Sequence, residues 1–115
     1  KVDRFFGKMP ENLLMVRGDA REIKFRKKFD RVILDIPNPW EALENLSVFL
    51  RRGGFLINYS PNIGQVQRVV EGMRDFTNIR TFEILERDWV IDERRARPNE
   101  RMFGHTGFIT VGRKL

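Results

Sequence analysis

The chain has 115 residues, enough for one domain with a single core and short for a complete doubly wound enzyme. With no cysteine and one histidine it excludes a disulfide framework and makes thiolate or histidine metal sites untenable, so no metal is expected and an intracellular, cytoplasmic origin is. No apolar run approaches the eighteen or so residues of a membrane span, so we expect a soluble domain, and a net charge of +6 favours a polyanionic partner such as RNA. The charged fraction of 33% fits equally a surface of mixed ion pairs. The chain opens on Lys1 without a Met, which leads us to expect a fragment, although a processed chain would look the same.

Residues 1–9, KVDRFFGKM, read as the end of a helix, with Phe5 and Phe6 turned inward and Gly7 at the C-cap. Leu13, Leu14, Met15 and Val16 are expected to make a buried strand closed by Arg17-Gly18-Asp19-Ala20, which leaves Asp19 just past a strand end. From Arg21 to Asp30 the chain is a charged connection anchored by Ile23, Phe25 and Phe29, with Arg26-Lys27-Lys28 as a solvated face.

The apolar run Val32, Ile33, Leu34, Ile36 predicts a strand covered on both faces, and its polar exception is Asp35. Asn38 is expected to cap a helix with Pro39 as its first residue and Glu41 in capping-box spacing. In an open parallel sheet, ligands bind in the crevice beyond the carboxyl ends of the strands, so Asp35 stands where chemistry occurs. A plain hydrogen bond to the turn that follows explains it as well.

Trp40, Leu43, Leu46, Phe49 and Leu50 recur at helical spacing, and Arg51 and Arg52 before Gly53-Gly54 predict the end of that helix. Phe55, Leu56 and Ile57 then begin a strand that runs to Tyr59. Asn62 and Gln65 repeat the cap spacing, with a helix from Ile63 to about Asp75. Strand, helix, strand, helix argues for right-handed parallel crossovers and an α/β fold. From Ile79 to Ile91 a long strand is expected, bent near Glu86 to Asp88. The polar stretch Asp92 to Arg101 follows, then a turn at Gly104-His105-Thr106-Gly107 and a final strand from Phe108 to Val111. These last strands predict an antiparallel carboxyl-terminal pair added to the parallel sheet.

Arg94, Arg95, Arg97 and Arg101 are candidates for phosphate contact, and ion pairing with Asp92, Glu93 and Glu100 is the alternative. His105 is a candidate RNA contact or a structural residue of its turn.

Three blocks, LDIPNPWE at 34–41, YSPNIGQV at 59–66 and RPNERMFGHTGF at 97–108, resemble in order and spacing the tRNA (adenine-N1)-methyltransferases that modify adenine 58 of the T-loop, and in archaea adenine 57 also. The resemblance covers essentially the whole chain. It implies a Rossmann-like class I methyltransferase sheet, with residues 1–115 as the carboxyl-terminal part of the catalytic domain. S-adenosylmethionine is the implied cofactor and tRNA the implied partner. Asp35 and Tyr59 are then expected in the catalytic pocket and Asp19 facing the cofactor's adenine. Pro37 and Trp40 are expected, with the arginines and His105, among residues meeting the RNA. The family's glycine-rich turn and its ribose-holding acid have no counterpart here, so most of the cofactor site is expected to lie outside this chain. The family's tetramers imply a homo-oligomer, with Trp89 and Phe103 as interface residues or core. A non-catalytic tRNA-binding or assembly module is the alternative function.

Overall fold

In the computed structural model, which describes residues 2–115, the chain forms α1 (Val2–Phe6), β1 (Phe29–Leu34), a short 3-10 turn (Pro39–Glu41), α2 (Leu43–Val48), β2 (Leu50–Ser60), α3 (Ile63–Gly72), β3 (Phe76–Phe82), β4 (Trp89–Ile91), β5 (Ala96–Pro98) and β6 (Phe108–Lys114). Four strands make one sheet in the order β1-β2-β6-β3, and β4 and β5 pair separately as a ribbon. β1 and β2 are parallel. β6 lies antiparallel between β2 and β3, so it is the one reversed strand of the sheet. This is the expected parallel sheet with an antiparallel carboxyl-terminal pair, formed by β3 and β6.

The core lies on one face of the sheet, under α2 and α3. Leu34, Ala42, Leu43, Leu46, Leu50, Leu56, Val69, Met73 and Phe76 form a single buried cluster, with Ile23, Phe25, Val32 and Trp40 packed at its margin. Each fully buried leucine here contributes about 2 kcal/mol from burial of apolar surface. The α3 helix forms as its cap spacing predicts: the Asn62 side chain accepts a hydrogen bond of 3.0 Å from the Gln65 backbone N–H.

Several local expectations are corrected. Asn38 does not cap with its side chain; it sits in the left-handed region at φ 50°, which Asn tolerates, and Pro39 opens a 3-10 turn instead of the helix proper. Glu41 consequently pairs with Arg21 at 3.3 Å instead of closing a capping box. The second helix stops at Val48, and Arg51 to Gly54 belong to β2. Between the pairs Phe29 to Leu50 and Arg31 to Phe55, β2 uses five residue steps against two in β1. Gly53, at φ +76°, turns that excess, and a side chain on Gly54 would meet the Asp30 carbonyl at 2.8 Å. The glycine pair is therefore a bulge and not a helix stop.

Leu13 to Val16 form no strand; they are irregular and exposed, Leu14 by 83%. A strand needs a neighbour to take its backbone groups, and among the described residues no strand pairs with this segment. Phe5 and Phe6 are likewise exposed, although Gly7 adopts the positive φ of a helix stop. The long strand expected from Ile79 to Ile91 is instead β3, an irregular stretch and β4. The sheet face opposite the helices is bare, with Ile33 exposed by 71%, and β1 is not covered on both sides. The radius of gyration of 18.5 Å exceeds the roughly 13 Å of a compact domain of this length.

Candidate active site at the strand ends

The last residue of β1, Leu34, pairs with Asn58 of β2. Both are buried on the helix-covered face. Side chains alternate along a strand and paired residues of parallel strands share a face, so Asp35 and Tyr59, one step further, project together on the opposite face. Both are exposed, at the carboxyl ends of two adjacent parallel strands. Asp35 makes no side-chain hydrogen bond or ion pair among the described residues. The simple turn-bonding explanation of its carboxylate therefore has no bond to rest on.

Beneath this pair lies a buried polar cluster that was not expected from the sequence. The fully buried Asn58 amide donates to the Leu34 carbonyl at 3.3 Å and to the Tyr59 carbonyl at 3.2 Å, and the Ser60 hydroxyl donates to Asn58 Oδ1 at 2.7 Å. Every buried polar side-chain atom among the described residues has a partner. The signal was legible: Asn58 interrupts an apolar strand run just as Asp35 does.

The turn before β6 docks onto the end of β2. His105 Nε2 bonds the Pro61 carbonyl at 2.5 Å; since a carbonyl can only accept, that nitrogen carries the proton. The Tyr59 hydroxyl donates to the Thr106 carbonyl at 2.5 Å, and the Thr106 hydroxyl donates to the Ile84 carbonyl at 3.0 Å. His105 also packs at a tilt on Phe108, ring centres 5.3 Å apart.

Asp19 and Pro37 line one cleft of about 600 Å³ together with Arg17, Gly18, Arg21 and Asn38. Arg21 grips the Asp19 carboxylate through its backbone N–H at 2.9 Å and its guanidinium at 2.7 Å, and these bonds hold the carboxyl down at about 2. Arg21 places two N–H contacts on each Asp19 oxygen, and the cleft is roomy enough to admit a nucleoside. That room would admit the adenine end of S-adenosylmethionine beside Asp19; the chain's sequence has no glycine-rich turn to seat its methionine end.

The other expected RNA-facing residues lie apart from this pair. Trp40 is half-buried, with the Arg68 guanidinium over its ring at 4.9 Å. Arg94 and Arg95 sit in the β4–β5 turn and Arg97 on β5. Arg95 pairs with Asp92 at 2.6 Å, a contact that lowers the Asp92 pKa, and Arg97 pairs with Glu100 at 3.1 Å. Among the described residues Arg94 and Arg101 make no side-chain ion pair. Arg101 lines a separate cavity of about 770 Å³ with Ile84, Met102, Phe103 and Thr106. Among those residues no cluster suited to a metal ion occurs, and no helix is long and apolar enough to cross a membrane.

This sheet, with its carboxyl-end pair and reversed penultimate strand, is that of S-adenosylmethionine-dependent methyltransferases. An O-methyltransferase of that class from Thermotoga maritima superposes with a TM-score of 0.79 at 30% identity, over 85% of this chain and 38% of that one. The tRNA (m1A58) methyltransferase TrmI of Aquifex aeolicus superposes with a TM-score of 0.78 at 29% identity, over 84% of this chain and 40% of that one. Residues 11–96 match the family described as the tRNA methyltransferase complex GCD14 subunit, and the chain belongs to that family. The tRNA (adenine(57)-N(1)/adenine(58)-N(1))-methyltransferase TrmI of Methanocaldococcus jannaschii is 42% identical over 105 residues, 89% of this chain and 37% of that protein. The chain thus spans about two fifths of the length of the curated relatives it matches.

Proposed function

We propose that this chain is the carboxyl-terminal part of the catalytic domain of a tRNA methyltransferase that transfers a methyl group to N1 of a T-loop adenine, at position 58 or at both 57 and 58. The observation that carries the reading is the pairing of Leu34 with Asn58, which sets Asp35 and Tyr59 side by side at the strand ends in a chain of the tRNA methyltransferase family.

S-adenosylmethionine, when bound, supplies an electrophilic methyl group on a cationic sulfur. Adenine N1 carries its lone pair in the plane of the ring, so no base is needed to create the nucleophile. As the new bond forms, positive charge moves onto the ring and the 6-amino group becomes a stronger acid. Asp35 accepts a hydrogen bond from that amino group, which orients N1 and stabilises the transition state more than the ground state. It can take the proton afterwards. Tyr59 lines the same pocket beside the base. Asp19 would hold the adenine end of the cofactor, and Pro37 closes the same cleft.

Arg94, Arg95, Arg97 and Arg101 supply phosphate contacts on the ribbon side, with Trp40 and His105 as further RNA contacts. Trp89 and Phe103, exposed by 59% and 84%, serve as subunit contacts in a homo-oligomer. The test is methylation of unmodified tRNA by the full-length protein that carries this chain. N1-methyladenine in the T-loop is expected; methyl transfer to another base, or none, would overturn the reading.

A further inference from the structure

The block Gly104-His105-Thr106-Gly107-Phe108 is distinctive in sequence, yet the proposed reaction gives it no chemical step. Two of its contacts, at Thr106 and Gly107, meet at Tyr59. Three bonds anchor the turn, from His105 to the Pro61 carbonyl, from the Thr106 hydroxyl to the Ile84 carbonyl, and from the Tyr59 hydroxyl to the Thr106 carbonyl. Gly107 lies against the Tyr59 ring at φ +119°, and a side chain there would overlap the ring atoms. The ring is thus placed by a glycine and its hydroxyl by a carbonyl.

The polarity of the last bond is unambiguous. A carbonyl has no proton to give, so the phenolic proton of Tyr59 is committed to Thr106 at 2.5 Å, and toward the rest of the site the oxygen offers lone pairs alone. A tyrosine with a free proton would donate most readily to the in-plane lone pair of adenine N1, the very pair that must attack the methyl group. Turned toward Thr106, the hydroxyl can meet only a donor, and the donor beside N1 is the 6-amino group.

We propose that the Gly104–Gly107 turn is a positioning device that makes Tyr59 an acceptor-only group, so that Tyr59 reads the 6-amino edge of adenine and leaves N1 uncapped. The inference rests on the reading above that adenine is the methyl acceptor. Asp35 and Tyr59 then present two acceptors to the two N–H bonds of the 6-amino group. Guanine and hypoxanthine place an oxygen at the same position, where it meets lone pairs instead of donors.

Two measurements test this. Tyr59 is the only tyrosine of the chain, so the Raman doublet of its phenol reports whether the hydroxyl donates. A donor signature is expected in the 115-residue chain, weakened by Gly107→Ala; a signature of a non-donating hydroxyl overturns the proposal. The second is a cycle in the full-length protein, with Tyr59→Phe measured on tRNA carrying adenine or unsubstituted purine at the target position. Single-turnover rate is the readout, with RNA affinity giving the same cycle if the purine RNA is not methylated. Loss of the acceptor should cost roughly tenfold with adenine and little with purine. Equal losses on both RNAs would show a merely structural role and overturn the proposal. If the wild-type protein methylates neither RNA and binds both equally, the reaction assignment fails, while the Raman result still decides what holds the hydroxyl.

Discussion

The side-chain amide of Asn58 donates to the main-chain carbonyl of Leu34, the residue that immediately precedes Asp35. A fully buried side chain thus ties the end of β1 to β2 one step before the proposed catalytic carboxylate. Substituting Asn58→Ala leaves the Leu34 carbonyl without that donor and the Ser60 hydroxyl without its acceptor. We expect a loss of about 1–3 kcal/mol in stability, read from urea unfolding. Ser60→Ala added to Asn58→Ala should cost less than it does alone, because the two share one bond.

Asp19 titrates abnormally low because Arg21 holds it. Its folded pKa of about 2 lies below the ordinary value of 3.8, so the stability it contributes is present above that ordinary value and is lost as pH falls through about 2. Carboxyl carbon shifts followed by NMR should show that late titration. Arg21→Ala should return it toward 3.8, and a titration unmoved by that change would remove Arg21 as the cause.

Arg94 and Arg101, which pair with no acid among the described residues, should matter more to tRNA than Arg95 and Arg97, which do. Replacing either of the first two by Ala should reduce the slope of log affinity against log salt by about 0.7–0.9. Binding titrations at several salt concentrations give that slope directly. Equal effects from all four would mean that the ion pairs open on binding.

The bare sheet face, with Ile33, Phe55 and Tyr59 exposed, is an apolar surface beside a free strand edge. The 115-residue chain should self-associate at micromolar concentrations, and Ile33→Lys should lower the mass seen by light scattering. A cooperatively folded monomer would contradict this.

Alternation of apolar runs with cap signals made the parallel β1 and β2 and the α3 helix legible, since those elements bury one face against each other. The misreadings have a common cause. Leu13 to Val16 carry a strand's composition, but pairing requires a neighbour that composition cannot supply. Gly53-Gly54 after two arginines looks like a helix stop and is a bulge, because the same glycine freedom serves both. Asp35 stood out as a polar residue in an apolar run. Asn58 carried the same signal, but its role depends on register with Leu34, which no single segment encodes. The bond from Tyr59 to Thr106 spans 47 positions and could be seen only in the fold.

The central claim is that Asp35 stabilises charge in methyl transfer to adenine. Single-turnover methylation of unmodified tRNA by the full-length Asp35→Asn variant, with S-adenosylmethionine affinity measured in parallel, tests it most directly. The amide is nearly isosteric and uncharged, so cofactor affinity should be unchanged while the rate falls by roughly 30- to 1,000-fold, equivalent to about 2–4 kcal/mol. Undiminished turnover would contradict the account.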